Sequence, residues 1–150
     1  MALGSQDLSH QDRQLLEATL QRAASLLRKS RWSRDAPARN QAGAEVDPAD
    51  PRAKAFCIAG AFLRAGTCLD TATVRVGMAL LHRVACDMTR GEAADVFALN
   101  DDPRTAKRDA LAMLDRAAAL AMEDRSGSLC QGNLSLPILC RHPGAGSDRQ

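Results

Sequence analysis

Apolar residues return every three or four positions along most of this chain, and that spacing points to packed helices. Leu16, Leu20, Ala23 and Leu27 make one stripe, with Leu15, Ala24 and Leu26 beside it. Val74, Met78, Leu81, Ala85 and Met88 make another, flanked by Leu80 and Val84, and Ala110, Leu114, Ala117 and Ala121 make a third. Between the first two, Ala55, Phe56, Ala59, Phe62 and Leu63 recur at the same interval. No long run alternates as a half-buried strand does.

Capping residues punctuate these stripes. Ser9 followed by Asp12 resembles a capping box, with Asp where Glu is usual, and predicts a helix running to about residue 30. Asp50 before Pro51 predicts a second helix start, closed by Gly66, because proline suits the first helical position and glycine the turn after the last. Asp70 predicts a third over 71–88. Thr89 and Glu92 form another capping box before a short helix through Val96, Phe97 and Leu99. Asp102-Pro103 repeats the Asp50-Pro51 pair and predicts a last helix over 103–123.

Trp32 follows the first helix, where it serves as a core anchor at a turn. The connection after it is rich in Pro, Gly, Asn and Asp, and Ala38-Arg39 can pair with Glu45-Val46 around it as a short hairpin or lid. The expected fold is therefore all-α, a compact bundle of about five helices with a small β-hairpin or lid loop after the first helix. The expected division is a flexible leader over 1–8, a helical domain over 9–124 and a largely disordered tail over 125–150.

Aromatic residues make up only 3% of the 150 residues, with no Tyr and one Trp, so the core must be built from Leu, Ala, Val and Met. Two of the three Phe fall within 50–66, which marks that segment as its centre. Small side chains allow close packing but bury little area each, so the expected stability is modest.

The formal charge is +2, and no third of the chain is strongly basic: 7 cations against 7 anions, then 6 against 4, then 7 against 7. Nucleic acid therefore ranks last among expected partners. The opening residues lack the basic and apolar regions of a secretory signal, and the longest apolar stretch, 74–86, is interrupted by Arg75, His82 and Arg83. Five cysteines without a CxxC pair fit free thiols in the cytoplasm, and no membrane association is expected.

Taken in order, Trp32, the hairpin region with Ala38-Arg39, Gly43 and Val46, the run Phe56-Cys57-Ile58-Ala59-Gly60-Ala61, and Leu99-Asn100-Asp101 with Arg104-Thr105, Leu111, Leu114 and Ala117 resemble a bacterial and phage-associated domain family of unknown function. The likeness covers residues 16–118. It departs from the family pattern at Leu99, where an aromatic is usual, and at Ala110, where a branched apolar residue is usual. The resemblance implies a shared helical fold with a small hairpin and brings no activity with it.

Cys57 is the foremost chemical candidate. On a helix it would share a side with Lys54 and Arg64, whose charges would favour the thiolate, and His82, the histidine well inside the expected domain, is the candidate base. The plainer reading makes Cys57, Gly60 and Ala61 a small-residue surface for close helix approach. Asn100, Asp101, Asp102 and Arg104 are the second candidate: a cluster of oxygens suited to a cation or polar ligand, or more plainly turn and cap residues. Catalytic candidates are thus Cys57, His82 and Asp101; binding candidates are Trp32, Arg39, Lys54, Arg64, Asn100, Asp101 and Arg104. Arg28, Lys29, Arg31 and Arg34 suit a helix C-terminus as well as they would a phosphate. Cys130, Cys140 and His142 match no zinc spacing, so neither metal nor cofactor is expected. The leading expectation is a non-catalytic cytoplasmic domain with an interaction or regulatory role and a protein partner. The alternative is a small thiol-dependent enzyme or ligand-binding domain using Cys57 and the loop from Asn100 to Arg104.

Overall fold

The computed structural model describes residues 8–123. The expected tail, with Cys130, Cys140 and His142, lies outside them, as does most of the leader. The helices are α1 (His10–Lys29), α2 (Ile58–Ala65), α3 (Thr71–Met88), α4 (Val96–Asp101) and α5 (Lys107–Glu123). Three short strands, β1 (Arg31–Trp32), β2 (Ala38–Asn40) and β3 (Ala53–Phe56), form one sheet in the order β1-β3-β2. The described residues are mostly helical, with five helices, but the small sheet means that they are not all-α.

The caps read from sequence hold for α1 and α3. Ser9 accepts from the Asp12 amide at 3.0 Å, and Asp70 accepts from the Thr73 amide at 2.7 Å. The apolar stripes of α1 and α5 face each other, and α1 packs chiefly on α5 and α2. Phe56 and Phe62 lie fully buried beside Leu16, Leu20, Leu81 and Leu114. The hairpin is present: Val46 donates to the Ala38 carbonyl at 3.0 Å, and the backbones of Arg39 and Glu45 form an antiparallel β-bridge.

Segment 50–66 departs most from expectation. Its first part is β3, whose Ala53, Ala55 and Phe56 are buried while Lys54 points to solvent. β1 pairs with β3 in parallel, Trp32 opposite Phe56, and β2 pairs with it antiparallel. The helical spacing of Ala55, Phe56 and Ala59 is real but begins too early, because two neighbouring strands supply β3 with backbone partners that sequence alone does not display. α2 starts after Cys57, whose sulfur accepts from the Gly60 amide at 3.2 Å.

Asp50 therefore opens no helix, and neither does Asp102, whose backbone amide instead closes α4 on the Leu99 carbonyl. In both Asp-Pro-Arg sequences the aspartate folds back on the arginine two residues later. Asp50 accepts from the Arg52 amide at 2.8 Å and pairs with its guanidinium at 2.8 Å. Asp102 does the same with Arg104, at 2.8 and 2.8 Å. The repeated device is a turn bracket, and α5 starts four residues after Pro103, where Asp109 accepts from the Ala106 amide at 2.8 Å. Thr89 likewise closes α3 rather than opening α4; its hydroxyl donates to the Ala85 carbonyl at 2.8 Å and accepts from the Ala93 amide at 2.9 Å. Asp95 caps α4 instead.

The two brackets make stability pH-dependent. Arginine hydrogen bonds hold both Asp50 and Asp102 at a pKa of about 2, below their ordinary 3.8. The folded chain thus binds fewer protons than the unfolded chain between those values. Their stabilisation is complete above pH 4 and is lost as pH falls toward 2. Thermal unfolding of an Asp50→Asn, Asp102→Asn double variant should show a flatter acid limb than the parent protein; an unchanged limb would mean the brackets do not contribute.

Candidate functional site

The 100–104 segment converges with the β1 end of the sheet, and Asn100 is the joint between them. Its side chain is 1% exposed, and both ends of the amide are used. Oδ1 accepts from Trp32 Nε1 at 2.8 Å and from the Ile58 amide at 3.0 Å; Nδ2 donates to the Ser33 carbonyl at 3.0 Å and to Asp101 Oδ1 at 2.9 Å. One residue therefore ties α4 to β1, to the loop beyond it and to the first turn of α2. Such a buried amide is stable only when every donor and acceptor is met, as it is here.

Asp101 continues the network outward and accepts from the Asp35 amide at 2.9 Å. Asp35 holds a φ of 63°, a left-handed conformation that aspartate tolerates better than most residues. Arg34 lies with its guanidinium carbon 4.6 Å from the Trp32 ring centroid and donates to the Thr105 carbonyl. Trp32 is thus held at its nitrogen by Asn100 and across its face by Arg34, so it is a fixed strut rather than an open stacking surface.

Beside this joint lies an open cleft of about 470 Å³, lined by Met88, Thr89, Arg90, Glu92, Leu99, Asp102, Arg104, Thr105 and Asp109. Arg104 crosses it, pairing with Asp102 at 2.8 Å and with Glu92 at 3.3 Å. These carboxylates raise the Arg104 pKa further, and the pairs are exposed enough that water screens them.

Cys57 is 3% exposed, and burial is the chief influence on its thiol, raising the pKa above 9.0 against the lowering effect of the Gly60 amide. The Asp101 carboxylate adds to the rise. Lys54 points to solvent, and Arg64 reaches away to the Pro48 and Asp50 carbonyls at 2.7 and 2.8 Å. The expected cation pair is therefore not assembled around the sulfur. The reason is that Lys54 lies on a strand, so helical spacing does not relate it to Cys57. His82 Nδ1 accepts from the Val96 amide at 3.1 Å, which makes it a support for the start of α4. Arg39 braces the hairpin through the Gly43 and Arg34 carbonyls.

Of the expected site residues, Trp32, Asn100 and Asp101 come together in one network, with Cys57 at its edge and Arg104 in the adjoining cleft. Arg39, Lys54, Arg64 and His82 serve other places. Sequence reading missed Ser33, Asp35 and Thr105, which enter through backbone atoms or turn conformation and leave no side-chain signature. Lys107 was also missed; it donates to the Ser30 carbonyl at 2.7 Å and so closes the end of α1.

Among the described residues, no group of three or more His, Cys, Asp or Glu side chains is placed to hold a metal ion, and no helix is long and apolar enough to cross a membrane. No curated protein and no solved structure matches the chain. A family model does match, over residues 11–120, which takes in all five helices nearly whole, the sheet and the Asn100 joint. The chain belongs to the family of unknown function DUF6197.

Proposed function

We propose that this domain is a non-catalytic protein-interaction or regulatory module working in the cytoplasm, in keeping with the bacterial or phage-associated origin that its sequence pattern implies. The observation that carries this reading is where the chemically capable side chains stand. Asn100 has all four of its amide hydrogen-bonding positions inside the fold, His82 Nδ1 is engaged by a backbone amide, and the Cys57 thiol is buried and raised in pKa. A nucleophile needs the opposite: a lowered pKa, access and a neighbouring base. Meanwhile Phe97, Leu15, Met88 and Leu63 are exposed, and exposed large apolar side chains suit contact with another protein. Affinity purification of the native protein from its host should recover a second protein in near-equal amount. A protein that always purifies alone, with Phe97 accessible, would overturn the reading.

The thiol-dependent alternative is tested separately. Cys57 should react with a thiol reagent far more slowly in the native protein than after unfolding, followed by mass spectrometry on a background in which Cys68, Cys86, Cys130 and Cys140 are serine. Rapid native labelling at neutral pH would reinstate the enzyme reading.

A further inference from the structure

We propose that the outer face of α3, together with Phe97 of α4, docks an acidic amphipathic segment of a partner protein; this rests on the interaction reading above and assigns its surface. α3 turns Thr73, Gly77, Leu80, Leu81, Val84 and Ala85 into the core. At 100° per residue, Arg75, Ala79, His82 and Arg83 fall on the opposite side, within an arc of roughly 100°. Arg75 and Ala79 are exposed. Phe97 stands beside this arc, its ring centroid 6.1 Å from that of His82, and at 43% it is the most exposed large apolar side chain among the described residues.

Charge selects the partner. Residues 71–91 contain three arginines and one acidic residue, Asp87, while the two acidic residues between them and Phe97 are already engaged, Glu92 with Arg104 and Asp95 with the Ala98 amide. Among the described residues, the arginines in ion pairs within 4.0 Å are Arg28, Arg52, Arg104 and Arg108; Arg75, Arg83 and Arg90 are in none. Arg83 also has its Nε buried with no acceptor, a donor that a carboxylate reaching the helix could meet after a side-chain rotation. Arginines on the same face of α3 as His82, whose ring neighbours the exposed Phe97, match a segment with carboxylates beside an apolar stripe. A nucleic acid would need a broader basic stripe and gain little from Phe97.

The test uses the full chain with two probes. The first is a synthetic 18-residue helix with Leu on one face and Glu on the other, compared with its Lys counterpart. The Glu helix should bind, more weakly at high salt, and the Lys helix should not. Arg75→Glu with Arg83→Glu, and separately Phe97→Ala, should each weaken binding at least tenfold, while circular dichroism stays that of the parent. Equal binding of both helices, or binding indifferent to these variants, overturns the proposal. The second probe is a photo-crosslinking residue at position 79 or, separately, at position 104 in the cleft, used in host extract. Cross-links from 79 to an acidic amphipathic segment, lost on the double charge reversal, support the proposal. Cross-links from 104 alone leave the interaction reading standing and remove this surface. Cross-links from 79 to nucleic acid, to a second copy or to residues 124–150 also overturn the proposal, and cross-links from neither position overturn both readings.

Discussion

Gly60→Ala should destabilise the domain by about 3 kcal/mol or more, lowering the thermal midpoint by roughly 10 °C. Two effects oppose each other at this position. Alanine is the better helix former by about 1 kcal/mol, and Gly60 lies in the first turn of α2. Against that, a methyl group there would stand 1.8 Å from the Pro37 carbonyl oxygen and 2.7 Å from its carbon. Those are backbone atoms at the entry to β2, where the same carbonyl accepts from the Cys57 amide at 3.0 Å. Neither chain can retreat without breaking that bond, so the clash outweighs the propensity gain. An unchanged midpoint would mean that the start of β2 moves freely away from α2. Gly77 offers a milder version, since its missing Cβ makes room for the Phe62 ring, a side chain that has some freedom to shift.

Asn100→Leu should cost about 4 kcal/mol. Leucine nearly conserves the volume but removes all four hydrogen bonds, and the Ile58 amide and Ser33 carbonyl cannot turn toward water. Each buried group left unmet costs on the order of 1–3 kcal/mol. Trp32 is the chain's single tryptophan, so loss of its Asn100 bond can be followed directly by fluorescence alongside denaturant unfolding. Asn100→Asp separates the contributions. It keeps an acceptor for Trp32 and Ile58 but aims an oxygen at the Ser33 carbonyl and Asp101. Burial and the neighbouring carboxylate favour the protonated form in the folded chain, so that state holds the proton to higher pH than the unfolded one. The variant should therefore lose stability as pH rises through the ordinary carboxylate range. Equal stability at pH 4 and pH 7 would show that the site opens to water.

The helices were legible because capping and periodicity are local. Ser9 with Asp12 and Asp70 with Thr73 act within one turn, and the stripes of α1, α3 and α5 depend only on residue spacing. β3 was not legible because its identity depends on β1 and β2: the partners of Ala55 and Phe56 lie 24 positions earlier in β1 and 16 and 18 positions earlier in β2. Asp50 and Asp102 were misread for a related reason: an Asp-Pro pair serves a helix start or a turn equally well, and the arginine two residues later decides it. At the candidate site, Asn100, Asp101 and Trp32 stood out by residue type. Their union did not, because the bond between Trp32 and Asn100 crosses 68 positions. Phe97 read as a helix residue like any other; its exposure follows from the shortness of α4, which turns one face inward and leaves the other uncovered.

The packing of α1 against α5 governs when the domain can be completed during synthesis. Arg28 reaches Asp115 at 3.3 Å, and Lys107 closes the end of α1, so among the described helices the earliest made finds its main partner in the latest. Until then Leu16, Leu20 and Leu27 are covered chiefly by α2, with a smaller share from α3 and β1. A nascent chain arrested with only residues 1–101 outside the ribosome should remain sensitive to protease, and one extended beyond Glu123 should not. The domain is in effect clasped shut by its own end, and its maturation is a single late event rather than a stepwise accretion.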